Sequence, residues 1–433
     1  MKLGRNATLA IATVLTIAIA SLLNVSATTS RFNITYPSVV CPPNIDGLST
    51  AISLSSPQTL IRKTGTSSMK SKPVGIRRYA IASQSAVIEA GSVTPVVWQV
   101  RTGVWAGAVT CSAPVTSQWF VGATADITSK GSLNLVNSGL GKAVVRVTVF
   151  SENGELTPRD IVIRANSFVQ LPLPSLAPGS QVIAIHVETR AGRVNAFVVD
   201  ERGRGLRALG GDLVNPTGDP TKSLQIPAIP QQKGKKTATP HTLRLLVPGN
   251  IDAHISAEIR STDGTFAPTA LDGQVIAHKK VIEIPFELIM KSGKFALHIT
   301  SDQPILGSVF SKTISQGKSD FVWSTAVPDL REFTLATTGL APTLVFTGKS
   351  IKLKAVVTLT NGDSKEISVR GEDIATLVLS DKARSVTFTK ISSGTSGAAL
   401  ISSKSGYGYI PLTPGSVLTK SSVPSSNIRV LNP

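Results

Sequence analysis

Three dipeptides, Asn153-Gly154, Asp263-Gly264 and Asn361-Gly362, end three stretches of alternating apolar residues. Asn-Gly and Asp-Gly tolerate the positive φ angles of a tight hairpin, which makes them the strongest short-range hairpin signal a sequence carries. What constrains the chain is that this signal recurs in register. Each turn is preceded by a strand ("AVVRVTVFSENG" from Ala143, "HISAEIRSTDG" from His254, "LKAVVTLTNG" from Leu353). Further upstream sits a shorter one: "SLNLVNSG" from Ser132, "TLRLLVPG" from Thr242, "TLVFTG" from Thr343. From Leu133 to Gly154 is 21 positions, from Leu243 to Gly264 again 21, and from Leu344 to Gly362 is 18.

A second pattern closes each unit. "VIAIHVETRAGRVNAFVV" from Val182, "FALHITSDQPILGSVF" from Phe295 and "GAALISSKSGYGYIPL" from Gly397 read as hairpins, and "VVWQVRTGVWAGAV" from Val96 is a fourth copy. Lead strands precede the units: "QWFVGA" from Gln118, "SLQIPAI" from Ser223 and "DFVWSTAV" from Asp320. About six or seven short strands per hundred residues is the spacing of a β-sandwich, and propeller blades are about half that length. Upstream of the copy at Val96, the stretch from Ser53 to Gly91 lacks an Asn-Gly turn and reads as loose, basic and Ser-rich, with one good strand near Tyr79 to Ile88. The expected fold is all-β: tandem antiparallel β-sandwich modules, immunoglobulin-like or jelly-roll-like, after an N-terminal hydrophobic helix. The expected boundaries are 1–27 for a signal peptide or membrane anchor, 28–116 for a partial β module, and 117–214, 215–318 and 319–433 for three sandwiches.

At 433 residues, with 41% hydrophobic and 16% charged side chains, the chain is globular and long enough for several cores. The first residues have the parts of an export signal: Lys2 and Arg5, a charge-free apolar run from Ala7 to Leu23, then small residues at Val25-Ser26-Ala27. The apolar run is slightly short of the roughly 20 residues of a membrane span, and a cleaved signal and an uncleaved anchor both remain open. Either way the rest of the chain is expected outside the cytoplasmic membrane. In such an oxidising compartment the two cysteines, Cys41 and Cys111, are expected to pair. Two cysteines with no nearby histidine cannot complete a zinc shell. The net charge is +18, and removing residues 1–27 takes away only Lys2 and Arg5, leaving +16. For an exported chain that balance points to anionic polymers or headgroups rather than nucleic acid.

Little in the sequence carries chemistry. His186 and His298 occupy matching places in "AIHVE" and "ALHIT", with Gln99 as their counterpart, which suits a solvent-facing strand position. His241, His254 and His278 are scattered without ligand spacing. "SSMK", Ser67 to Lys70, satisfies Ser-x-x-Lys in isolation, and no Gly-x-Ser-x-Gly elbow occurs. The 26 acidic residues gather mostly at turns. Trp98, Trp105, Trp119 and Trp323 are candidates for stacking on sugar rings, but Trp98, Trp119 and Trp323 fall at apolar positions of the repeat and are expected in cores. The densest charge is "RAGRVNAFVVDERGRGLRALGG", where Arg190, Arg193, Arg202, Arg204 and Arg207 stand among glycines as a candidate anion-binding loop. No cofactor is implied.

With these blocks laid out, the chain resembles an actinobacterial family of exported cell-envelope proteins known only as a domain of unknown function. The resemblance rests on Cys41-Pro42, on Cys111 shortly before "WFVG" from Trp119, and on "LNLVN" from Leu133 leading to an Asn-Gly turn. It departs at Asn137-Ser138 and Val247-Pro248, where the pattern has Asn-Pro. The resemblance implies an envelope location and no activity. The expected function is therefore that of a non-enzymatic exported envelope protein, a structural spacer and interaction module. Its expected partner is an anionic cell-wall polymer or an envelope protein; it meets no nucleic acid, and meets the membrane only through its N-terminal segment. The alternative is a carbohydrate-binding or accessory subunit of an envelope enzyme.

Overall fold

The computed structural model describes Gly4, residues 12–16, Ala18, and residues 31–423 apart from 67, 233–238, 291–292 and 316. The expected signal or anchor segment lies for the most part outside the described residues. Among the described residues no helix is long and apolar enough to cross a membrane. The chain divides into two compact units. In one, Arg31–Thr35 pairs antiparallel with Thr419–Val423. The other, Ser38–Ser416, holds four β modules and is described from here on.

The Asn-Gly and Asp-Gly turns form as expected. Ser151 faces Gly154, Ser261 faces Gly264, and Thr358 faces Ser364 across the third turn. Gly154, Gly264 and Gly362 take φ angles of 128°, 122° and 101°. In the first two a serine closes the turn from inside, Oγ donating to the glycine carbonyl at 3.2 and 3.1 Å. Ser403 does the same at Gly406, at 3.1 Å, in a turn whose sequence has neither Asn nor Asp before the glycine.

The closing hairpins are shifted from their expected places. True hairpins join β1 (Val96–Arg101) to β2 (Trp105–Thr110), β3 (Val194–Arg204) to β4 (Arg207–Val214), β5 (Lys294–Ser315) to β6 (Lys318–Thr325), and β7 (Ser396–Ser403) to β8 (Gly406–Pro411). The copies at Val96 and Gly397 were therefore read in the right place. "FALHITSDQPILGSVF" is instead part of one 22-residue strand. Its first half pairs with Thr221–Pro230 and Ala253–Ser261, and its second half with Thr239–Leu246 and β6. "SDQP" offers no residue at positive φ, so no turn forms there; Pro304, which has no N–H, marks where the strand leaves one sheet for the other. "ETRAGRV" makes the same crossing, with Gly192 at φ 90° between Ile183–Ala191 in one sheet and β3 in the other. By pairing, β6 closes the third module instead of leading the fourth.

The segment expected to be loose but for one strand near Tyr79 to Ile88 carries several, and that one is divided into Arg78–Ile81 and Ala86–Glu89. Residues 39–110 form two four-stranded sheets, ordered β2, β1, Ser49–Ser53, Arg78–Ile81 and Val39–Val40, Ala86–Glu89, Leu60–Lys63, Lys72–Pro73. Cys41 and Cys111 are bonded across this module and fully buried. Closing a loop of that length contributes roughly 4 kcal/mol. The module does not fill its core alone: Ile52, Ile88, Trp105 and Val109 pack with Val136, Phe197, Val199 and Leu213 of the second module.

That sharing is repeated at every boundary. Phe321 and Trp323 of the third module enter the core of the second. Val322 and Ala228 of the third pack on Val345, Leu400 and Tyr409 of the fourth. Val96, Trp98 and Ala108 of the first join the core of the fourth, beside Leu344 and Ile410. Val93–Thr94 also pairs in parallel with Phe333–Ala336, and Gly415 N–H donates to Thr94 Oγ1 at 2.7 Å. The four modules thus close into a ring.

Candidate functional site

At the centre of the ring the outer strands of the four hairpins, β2, β4, β6 and β8, lie against one another. Their approach is closer than side chains allow. A Cβ on Gly211 would sit 2.7 Å from the Trp105 ring, and one on Gly408 would sit 2.5 Å from Trp98. The glycines of "ALGGD" and "YGY" are required by this approach and by no turn.

Polar groups bind the strands across this junction. Asn215 Nδ2 donates to Ala108 O at 2.9 Å and to Tyr409 O at 2.7 Å, joining the second module to the first and fourth. Tyr409 Oη donates to Thr325 O at 2.7 Å. Asp212 accepts the backbone N–H of Trp323 at 2.7 Å and of Leu213 at 2.8 Å. Burial pushes the Asp212 carboxyl well above the usual range, against the pull of those two donors. Asp320 accepts Gly211 N–H at 3.1 Å, while its Oδ2 is buried without a partner. Burial lifts it to about 7.

Two arginines extend the cluster. Arg202 pairs with the fully buried Asp200 at 2.8 Å and lies over Phe310 and Phe321, 4.9 and 4.7 Å from the ring centroids. Asp200 also accepts Trp323 Nε1–H at 2.9 Å. Arg244, with 2% of its side chain exposed, pairs with Glu283 at 2.7 Å, lies 4.6 Å over Trp323, and donates to the carbonyls of Ala123 and Ile183. Asp200, Asp212 and Arg244 therefore all meet one tryptophan, Trp323, where the second and third modules join.

The five arginines expected to form one anion site are split. Arg202 is drawn into the junction. Arg190 and Arg193 are exposed at the crossover before β3, Arg190 paired with Glu188 at 2.9 Å. Arg204 and Arg207 are exposed at the turn after β3. An eleven-residue strand separates the two pairs by roughly 30 Å. All four tryptophans are buried, Trp119 stacked on His186 at 3.8 Å. Gln99, expected at the surface, is fully buried and donates to Pro43 O at 3.1 Å.

The matching histidines do face matching serines: Ser117 Oγ lies 2.9 Å from His186 Nε2, and Ser223 Oγ 3.2 Å from His298 Nε2. Glu258 stands 3.4 Å from His298 Nδ1, which completes the outline of a Ser-His-Glu relay beside a cavity of about 520 Å³ lined by Asp219, Ser223, Gln225 and Asp329. The chemistry runs the wrong way for one. Arg260 Nη2, which can only donate, is closer to Nδ1 at 3.0 Å. Nδ1 therefore accepts, the proton stays on Nε2, and Ser223 receives a hydrogen bond instead of losing its own proton. Burial and Arg260 both keep His298 below its usual pKa. Among the described residues no group of three or more His, Cys, Asp or Glu side chains could hold a metal ion.

These features define an all-β protein of ring-closed antiparallel modules, with its interior charge spent between modules. Residues 65–379 match the model of the family of unknown function DUF5719, and the chain belongs to that family. No curated protein sequence matches it. Among solved structures, it is similar to Thermotoga maritima 1070 at 13% identity over 25% of this chain and 95% of that one, with a TM-score of 0.20. A tetra-tandem repeat from the extending region of a large adhesion protein gives 10% identity over 90% and 100%, with a TM-score of 0.13. Infectious bursal disease virus Gx strain gives 10% over 86% and 80%, with 0.14. At such scores these likenesses assign neither topology nor function.

Proposed function

We propose that this chain is a non-enzymatic, exported envelope protein: a rigid four-module platform that presents surface to anionic partners outside the membrane. The observation that carries the reading is where the buried charge goes. Asp200, Arg202, Asp212, Arg244 and Asp320 join modules to one another and are largely buried there. The Cys41–Cys111 bond fits an oxidising compartment, and the +18 charge favours an anionic partner. With every tryptophan buried, the carbohydrate-binding alternative has no exposed indole on which a sugar ring could stack. Because the modules close on themselves, the reading is of a platform more than of an extended spacer.

Sedimentation of the full chain with isolated cell envelopes across a salt series tests it. Co-sedimentation that weakens as exposed charges become screened is expected, since screening acts within about 8–10 Å at such ionic strengths. A chain that stays in the supernatant at low salt would end the proposal.

A further inference from the structure

Each of the four hairpin turns at one end of the ring carries a glycine at positive φ and a basic residue beside or near it. The turns read Arg101-Thr102-Gly103, Arg204-Gly205-Leu206-Arg207, Gly317-Lys318 and Lys404-Ser405-Gly406. They gather because β2, β4, β6 and β8 pack against one another. The first three line a single cavity of about 410 Å³ with Gly103, Arg207, Gly317 and Lys318 on its walls, and Lys318 Nζ donates to Gly103 O at 2.6 Å across it. Lys130 joins from a neighbouring loop, its Nζ donating to Gly205 O at 3.2 Å.

The neighbouring acids are engaged: Glu201 pairs with Arg101 at 2.7 Å, Asp200 with Arg202 at 2.8 Å, and Asp126 accepts the N–H and Oγ1–H of Thr128, both at 2.7 Å. Arg204 and Arg207 are exposed and make no ion pair among the described residues. Apolar side chains accompany these cations. Leu206, at the tip between the two arginines, and Ile127 are the two most exposed large apolar side chains among the described residues, at 107% and 97%. Thr128 O accepts Gly203 N–H at 2.8 Å, which sets Ile127 beside the same turn. Ile314, also exposed, stands opposite Ser319 on the wall of the cavity.

A soluble polyanion would need the cations and has no use for Leu206 and Ile127. A bilayer surface uses both: phosphate headgroups meet the guanidinium forks while apolar tips enter the headgroup–acyl boundary. We infer that this turn-bearing end of the ring docks peripherally on an anionic phospholipid surface, led by Leu206 between Arg204 and Arg207. The inference rests on the anionic-partner reading above and gives that partner a chemistry and a place. It is separate from any membrane contact of the N-terminal segment.

With no free cysteine in the chain, a single introduced one can carry an environment-sensitive dye. The full chain labelled at Leu206→Cys is compared with the full chain labelled at Leu140→Cys, an exposed site near the other end of β3. Both are titrated with neutral phosphatidylcholine vesicles, with vesicles containing phosphatidylglycerol, and with soluble polyphosphate. A blue shift at position 206 alone, on the anionic vesicles alone, is expected. Arg204→Glu with Arg207→Glu in the 206-labelled chain is expected to weaken that partitioning at least tenfold, since each cation near such a surface is worth about 1 kcal/mol. Equal shifts at 206 and 140, or a shift on neutral vesicles, would overturn the inference. Polyphosphate binding without any vesicle shift would overturn it too, yet leave the anionic-partner reading standing. No binding to any of the three would remove both.

Discussion

The module cores and the central junction are built from different materials. The core of the fourth module, around Phe333, Phe346, Phe388 and Val386, is apolar throughout, with Phe388 5.3 Å from Phe333 and 5.9 Å from Phe346. The junction holds glycines, three aspartates, two arginines, an asparagine and a tyrosine around three tryptophans, Trp98, Trp105 and Trp323. Apolar burial is strong but without direction, and it would accept many relative placements of two greasy faces. Buried hydrogen bonds and ion pairs accept very few, because any slip leaves a donor or carboxylate unsatisfied in low dielectric. Cores give each module its fold; the junction gives the four modules one arrangement.

The largest expected effect breaks that division directly. Trp323→Ala removes a fully buried indole, for roughly 3–5 kcal/mol. It also leaves Asp200 without its Nε1 donor and Arg244 without its aromatic face. Phe388→Ala, wholly inside the fourth module, should cost a similar amount by the same cavity argument. The two should differ in cooperativity. Calorimetry of Phe388→Ala is expected to show one transition moved to lower temperature, and that of Trp323→Ala a broadened or divided one as modules uncouple. One sharp transition for both would mean that the apolar seams, such as Ile52 and Trp105 against Phe197 and Leu213, already hold the ring.

The sequence made the module scale legible and the ring illegible, for physical reasons. Asn153-Gly154 and Asp263-Gly264 are local devices, readable within four residues, and they formed where expected. The burial of Trp119 and Trp323 was readable from their apolar register. Gln99 was misjudged because alternation in β1 cannot say that its outer face meets Pro43 instead of water. "SDQPI" mimicked a turn because Pro304 signals an interruption, and a strand changing sheets is one. The five arginines divide between the junction, the crossover and the turn because proximity in sequence is not proximity in space. Lys318 joins Lys130 and Arg207 only after two modules have folded and packed together. The one signal that could have exposed the junction is the glycine pairing in "ALGGD" and "YGYIP", mid-strand and away from any turn.

A smaller effect sharpens the electrostatics of the junction. The folded pKa of Asp320, about 7, lies above its ordinary 3.8, with burial as the cause. The stability tied to this carboxyl is therefore complete below pH about 4, falls as pH rises through 7, and is flat beyond. Asp212 acts in the same direction. His241, buried against Phe286 and Phe295 in the third module and lowered to about 4, acts oppositely: its share is complete above pH 6.5 and is lost as pH falls toward 4. Asp320→Asn keeps the shape and removes the titration. It should leave stability at pH 4 nearly unchanged and raise it at pH 8 by something on the order of 1–4 kcal/mol. Denaturant midpoints at the two pH values measure this; equal losses at both would mean the carboxylate is held charged and satisfied.

The smallest effects separate arginines that the sequence placed side by side. Arg202 neutralises a carboxylate with no exposure, so Arg202→Ala should cost roughly 3 kcal/mol. Arg190 and Arg193 lie on solvent at the crossover before that strand, and the Arg190–Glu188 pair is open to water on both sides. Alanine at either should change stability by less than about 0.5 kcal/mol. Arg204→Ala and Arg207→Ala should be as silent in folding, because neither side chain is held by an acid. Denaturant unfolding of the five single variants gives the order. A large loss at Arg204 or Arg207 would mean that the turn cations are structural, and would leave them no freedom to meet a surface. A small loss at Arg202 would mean that Asp200 is content with Trp323 alone, and the junction would owe its uniqueness to hydrogen bonds without the help of charge.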